Sequence, residues 1–278
     1  WKEGHTLEGE NGVFTWADGR KYSGAWLRSK RHGAGTFEWP DGTVYEGQWA
    51  DDAEDGVGEL RNADGSSYTG GWSRGLREGE GQSSSAKGGA SFTGGWANNL
   101  KNGPGKLTLP DGSSYDGEWS DSLRSGTGTW VRASVRSQAV VGSTGGTGGT
   151  AGTGTGTGGA GPAAEYVVCG GTYVGVWEGD KRSGAGVWKL DSGSSYDGEW
   201  LDDVYHGTGV HEWALADSDH AAGEKYEGSW EGGLRSGPGR MVVGSTGDIY
   251  DGEWLRDKPH GQGTYAWGPD GGKSYSGS

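Results

Sequence analysis

The sequence predicts an all-β protein: an elongated, twisted, single-layer antiparallel sheet, a solenoid built from tandem β-hairpins. Three observations carry this. The pattern aromatic-x-Gly-x-Trp occurs nine times, opening at Tyr22, Tyr45, Tyr68, Phe92, Tyr115, Tyr173, Tyr196, Tyr226 and Tyr250, and a tenth copy opens at Tyr275. Each of the nine Trp is followed seven residues later by Gly-x-Gly, as Trp26 is by Gly33 and Gly35. The commonest spacing between copies is 23 residues, as from Tyr22 to Tyr45 and from Tyr173 to Tyr196. A fixed period of that size marks a stacked repeat.

The first strand of each unit holds the aromatic, the Gly and the Trp on one face, because side chains alternate along a strand. A turn follows. Its third residue after Trp is Ser29, Asp52, Gly75, Asn99, Ser122, Asp180, Asp203, Gly233 or Asp257, every one a turn former. The second strand carries Gly-x-Gly and then another apolar position, as in Gly33, Gly35, Phe37 and Trp39. Of the 16 Trp, 15 fall in these two registers, so they read as core. The glycines read as a floor free of side chains on which a neighbouring ring can lie. The unit closes on a second turn, often Asp-Gly, as at Asp18-Gly19, Asp41-Gly42, Asp64-Gly65 and Asp111-Gly112. The reverse face of the first strand is acidic at Glu46, Asp116, Glu118, Asp197, Glu199, Glu227, Asp251 and Glu253, and reads as a solvated face.

Composition agrees. Only 30% of residues are hydrophobic and 63 are Gly, so burial has to come from aromatic rings rather than from a Leu/Ile/Val core. The formal net charge of −14 disfavours nucleic-acid phosphate and anionic membrane surfaces, and favours basic segments of proteins as partners. The single cysteine, Cys169, excludes an internal disulfide. No apolar run approaches the roughly 20 residues of a membrane-spanning helix. The chain opens at Trp1 and stops within a motif at Tyr275-Ser276-Gly277-Ser278, which suggests a piece of a longer protein.

Catalytic chemistry is not in evidence. Gly-x-Gly recurs in every unit without the strand–turn–helix setting of a phosphate loop. Carboxylate pairs such as Asp116 with Glu118 recur on exposed strands rather than in a unique pocket. His5, His32, His206, His211, His220 and His260 lack metal-ligand spacing, Cys169 has no activating base nearby, and no serine sits in a nucleophile elbow. The expectation is therefore no enzyme, no cofactor and no metal.

Tyr45-Glu46-Gly47-Gln48-Trp49 through Gly56-Val57-Gly58, and His32-Gly33-Ala34-Gly35, resemble MORN repeats (membrane occupation and recognition nexus). The resemblance covers nearly all of the chain outside 133–165 and implies one hairpin per repeat, stacked into a single sheet. The His that precedes Gly-x-Gly in the family stands here at His32, His206 and His260. Elsewhere the position is Asp55, Glu78, Asn102, Ser125, Ser183 or Ser236, which removes a His-based site. The resemblance implies a non-catalytic protein-interaction scaffold, cytoplasmic, of the cytoskeletal or ciliary radial-spoke-head type. The alternative it implies is a membrane- or phospholipid-tethering region, or a regulatory array in a larger protein such as a lipid kinase.

Insertions fall between Gly-x-Gly and the next aromatic. The largest precedes Tyr173 and runs Gly/Thr-rich from Gly142 to Gly161, a composition that cannot pack. The domain reading is an array over 1–132, a flexible insertion over 133–165 and a second array over 166–278. One continuous sheet with a loop is favoured over two separate arrays, since the strand around Trp130 would otherwise present an unpaired edge. For partner binding, the expectation is a segment lying along Trp49, Leu60, Trp72, Trp96, Leu107 and Trp119, where the outer surface of the aromatic row stays partly open. Arg31, Arg77, Lys101, Arg124, Arg182 and Arg235 each stand five residues after a Trp and would line one edge, as a solvated turn or as a contact for anionic lipid.

Overall fold

The structure, a computed structural model, describes residues 9–138, 165–168, 170–214, 222–268 and 273–277. It has the expected class: a 20-stranded sheet in which every pairing is antiparallel. Among the described residues the one helical element is the short 3-10 turn Ala86–Gly88. Each repeat contributes one hairpin, as in Val44–Ala50 with Ala53–Arg61, and each hairpin pairs on to the next. The terminal strands Gly9–Thr15 and Lys273–Gly277 each have one partner, so the sheet is open. Leu123–Arg132 pairs with Gly171–Glu178, which joins the strands on either side of the insertion in one ladder. Val135–Gln138, at the start of the 133–165 segment, pairs with Glu165–Val168, which straddles its expected end, in a separate two-stranded sheet. The Gly/Thr-rich stretch 142–161 lies outside the described residues.

The hairpin turn is set by backbone handedness. Asp51 and Asp52 both adopt positive φ (48° and 73°), the two-residue turn whose twist matches the strands it joins. Asp, Asn, Ser and Gly tolerate this at the third position after Trp, which explains the composition read there. In the second turn the Gly42 amide donates to the Trp39 carbonyl at 3.0 Å, and the Asp41 carboxylate accepts the Thr43 amide at 2.8 Å.

The two glycines of Gly-x-Gly turn out to have different tasks. The ladder slips between Gly47 and Trp49, a β-bulge, and the first glycine, Gly56, holds φ +105° there. It lies under no ring. The second, Gly58, is the floor: a Cβ on it would stand 2.3 Å from the Tyr45 hydroxyl oxygen and 2.5 Å from Cζ. The Tyr45 hydroxyl donates to the Gln48 carbonyl at 3.0 Å, a carbonyl beside the bulge. Bulge, hydroxyl and second glycine form one device, repeated from Tyr22 to Tyr250 except at Phe92, which has no hydroxyl to donate.

The core is a line of rings. Tyr45 meets Trp49 edge-on at 5.0 Å and Trp72 of the next repeat at 5.3 Å, and the other repeats copy the pattern. Each indole N–H reaches back to the preceding hairpin, as Trp72 Nε1 does to the Gly58 carbonyl at 3.2 Å. Edge-to-face pairs at these distances contribute roughly 0.5–1.5 kcal/mol each beyond burial. The open outer surface expected for the Trp row is not found: Trp49, Trp72, Trp96 and Trp119 are 2%, 8%, 6% and 5% exposed.

Candidate interaction face

What covers the indoles is the row of basic residues. The Arg182 guanidinium carbon stands 4.1 Å over the Trp200 ring of the next repeat. Its Nε donates to the Asp203 carboxylate at 2.9 Å, and its NH2 group donates to the Asp203 carbonyl at 2.9 Å. The backbone closes the loop, with the Arg182 amide donating to the same carboxylate and the Asp203 amide donating to the Arg182 carbonyl. A cation from one repeat thus caps the Trp of the next and is gripped by that repeat's turn.

Six junctions between repeats share the cation cap over Trp, and at four of them, Arg31, Arg124, Arg182 and Arg235, the turn also supplies the carboxylate. Arg31 caps Trp49 and binds Asp52; Arg77 caps Trp96 and binds Asn99. Arg124 caps Trp177 and binds Asp180; Arg235 caps Trp254 and binds Asp257. Lys101 caps Trp119, and its amide is held by the Ser122 hydroxyl. The six residues do line the sheet, but they lie partly buried over the indoles and bonded to the next turn rather than standing as a free solvated edge. Burial pulls Arg77 and Lys101 below their usual pKa ranges. Burial pushes the phenols of Tyr22, Tyr68, Tyr115, Tyr173 and Tyr226 up to about 12, with the clasp arginine opposing it in each case.

Two junctions depart. After Trp200 the fifth residue is Tyr205, which stacks on Tyr196 at 3.9 Å and fills the place itself, with Gly233 in the facing turn. After Trp49 it is Glu54, with Gly75 in the facing turn, and no cation stands over Trp72. A groove of about 470 Å³ opens there, lined by Trp39, Leu60, Trp72 and Arg77 among others. A second groove of about 350 Å³ adjoins it through Leu60, Asn62 and Arg77, and runs past Ser83. Ser83 occupies the second-strand position that Phe37, Leu60 and Leu107 fill in their own repeats.

The six expected contact residues divide accordingly. Leu60 and Trp72 share the groove. Leu107 is half-buried against the aromatic core. Trp49, Trp96 and Trp119 are buried under Arg31, Arg77 and Lys101. Sequence reasoning missed Glu54, although a signal was present. Where the fifth residue after Trp is basic, the next repeat's turn offers Asp, Asn or Ser; where it is Glu54 or Tyr205, the turn offers Gly75 or Gly233. Among the described residues no group of three or more His, Cys, Asp or Glu is placed to hold a metal ion, and no helix is long and apolar enough to cross a membrane.

The repeat geometry and the comparison with known families agree. The profile of the MORN repeat matches residues 10–19, 22–44, 45–67, 68–90, 92–114, 115–134, 173–195, 196–214, 226–242 and 250–272. The chain belongs to the MORN-repeat family. Among curated proteins it is similar to MORN repeat-containing protein 3 of Xenopus laevis, with 40% identity over 79 residues. That match spans 27% of this chain and 31% of the relative. MORN repeats are a non-catalytic repeat type associated with protein or membrane interaction.

Proposed function

We propose that this MORN-repeat chain is a non-catalytic scaffold that binds a protein segment along the aromatic side of its sheet, centred on the paired grooves around Leu60. The observation that supports this reading is the groove itself. Over the repeats between Trp39 and Ala86 the aromatic side is notched where Glu54 replaces a capping cation and Ser83 replaces a bulky side chain. Elsewhere on that side the first-strand Trp rings are buried, while the second-strand Trp16, Trp130 and Trp188 are partly buried and Trp267 is exposed. The tethering alternative is favoured less by this chain's charges, because Arg31, Arg77, Lys101, Arg124, Arg182 and Arg235 are engaged by their neighbours and the net charge is −14. A cytoskeletal or axonemal setting rests on the resemblance to radial-spoke-head proteins alone.

The experiment replaces Leu60 and Leu107 with Ser and measures affinity for a partner captured by the unaltered chain. Affinity should fall while circular dichroism stays unchanged. Binding that survives both changes in a folded chain removes the aromatic side as the site. In parallel, phosphatidylserine vesicles should not co-sediment the chain at physiological salt; tight binding that weakens as salt rises would reinstate the tethering reading.

A further inference from the structure

The junction between Trp49 and Trp72 has the acid and the indole of a clasp but lacks the cation. Gly75 stands where other repeats place Asp52, Asp180 or Asp203, and a Cβ on Gly75 would lie 3.3 Å from the Glu54 Oε2 oxygen. The Glu54 carboxylate thus takes up the neighbourhood that the turn carboxylate occupies elsewhere, reached from the opposite side of the junction. The backbone half of the clasp is intact, since the Gly75 amide donates to the Glu54 carbonyl at 2.8 Å. Among the described residues no lysine or arginine nitrogen lies within 4.0 Å of the Glu54 carboxylate. Arg77, on the far wall, is held over Trp96 at 4.5 Å and hydrogen-bonded to Asn99. The local field agrees: burial raises the Tyr45 phenol and the Glu54 and Asp55 carboxylates raise it further, with no arginine opposing them as one does at Tyr22, Tyr68 and Tyr173.

We infer that the Glu54–Trp72–Gly75 junction is a receptor for an arginine or lysine side chain of a protein partner, which stacks on Trp72, pairs with Glu54 and so completes the cation–carboxylate clasp that this chain builds for itself at four other junctions. The inference rests on the reading of the aromatic side as a protein-binding surface, and it specifies the partner's chemistry: a basic residue flanked by apolar ones that meet Leu60 and Trp39. Arginine suits the site better than lysine, because a planar guanidinium stacks on the indole while its edge donates to the carboxylate. The site selects against acidic segments, whose carboxylates would face Glu54.

The test uses acetyl-arginine amide as the probe and its neutral isostere, acetyl-citrulline amide, as the control. The indole N–H resonances of the full chain are followed during titration. The Trp72 resonance should move with acetyl-arginine amide and do so about tenfold more weakly with the citrulline compound, the difference expected of a stacked, partly desolvated cation. Trp49, already capped by Arg31, should not move. Glu54→Gln should lower the arginine response to the citrulline level, and Glu54→Arg with Gly75→Asp should abolish it. Equal responses to the two compounds, or an arginine response that persists in the Glu54→Arg/Gly75→Asp chain, would overturn the inference. Failure here is distinct from failure of the broader reading. A chain that loses its partner on Leu60→Ser and Leu107→Ser, yet shows no arginine preference at Trp72, keeps the interaction surface and loses only the cation receptor.

Discussion

Two glycines two residues apart should respond to the same substitution by very different amounts, and Gly184 and Gly186 provide the comparison. A Cβ on Gly186 would stand 2.2 Å from the Tyr173 hydroxyl oxygen and 2.5 Å from Cζ, far inside van der Waals contact. The ring cannot step aside without loss. Its hydroxyl donates to the Val176 carbonyl at 3.1 Å, and it meets Trp177 and Trp200 edge-on at 5.2 and 5.3 Å. Overpacking costs roughly 1–3 kcal/mol, the hydroxyl bond about 0.5–1.5 kcal/mol, and each displaced aromatic pair about 0.5–1.5 kcal/mol. Allowing for partial relaxation, Gly186→Ala should destabilise the chain by about 3–5 kcal/mol. At Gly184 the nearest atoms to a new Cβ are those of Val176 at 3.6 Å, and the cost is that of placing Ala at φ +57°, about 1–2 kcal/mol. Urea unfolding followed by tryptophan fluorescence reads both, with far-UV circular dichroism checking that the array melts as one unit, since repeat arrays can melt in segments. Equal effects from the two substitutions, or a Gly186→Ala effect below about 1 kcal/mol, would refute the assignment of ring floor and bulge.

Two further predictions follow from the same device. Phe92→Tyr should stabilise the chain by about 0.5–1.5 kcal/mol in the same assay, because the new hydroxyl would meet the Gly95 carbonyl as Tyr68 meets Gly71 at 2.9 Å; a neutral or destabilising change would show that the Phe92 repeat is built differently. In alkali, the buried phenols of Tyr22, Tyr68, Tyr115, Tyr173 and Tyr226 ionise near 12 when folded against 10.0 for the free group. Between those values the folded chain holds protons that the unfolded chain releases, so the stabilisation is fully present below pH 10 and is lost as pH rises towards 12. Phenolate absorbance should therefore appear together with loss of the far-UV signal, and phenolate formed well before unfolding would contradict the burial of these rings.

Most of the fold was legible in the sequence because its determinants are local. Strand alternation, the turn residues at Asp52 or Asn99, and the fixed offset from Trp26 to Gly33 all lie within one hairpin. The role of Gly33 or Gly56 was misjudged because strand alternation alone puts both glycines of the motif on one face, and nothing in that pattern marks the bulge that removes the first. The clasp was missed for a different reason. Arg182 and Asp203 lie 21 residues apart and meet only because successive hairpins stack in register. Read within one repeat, Arg182 is a charged turn residue; read across two, its partner is fixed. The same step exposes Glu54 as the departure and turns a uniform row of Trp into one with a single uncapped notch at Trp72 among the described junctions.

The claim that each repeat's cation is spent on the next repeat is tested most directly by building the clasp where it is missing. Glu54→Arg and Gly75→Asp, singly and together, form a thermodynamic cycle measured by urea unfolding. Gly75→Asp alone sets a second carboxylate beside Glu54, whose Oε2 lies 3.3 Å from the new Cβ, and should destabilise. Glu54→Arg alone can stack on Trp72 but lacks its acid. Together they should be more stable than the sum of the two single effects by about 1 kcal/mol, the coupling expected of a stacked, hydrogen-bonded ion pair at a partly exposed site. Effects that add to within about 0.3 kcal/mol would contradict the account, because they would mean that the Arg–Asp–Trp arrangement at the other junctions does not hold repeat to repeat.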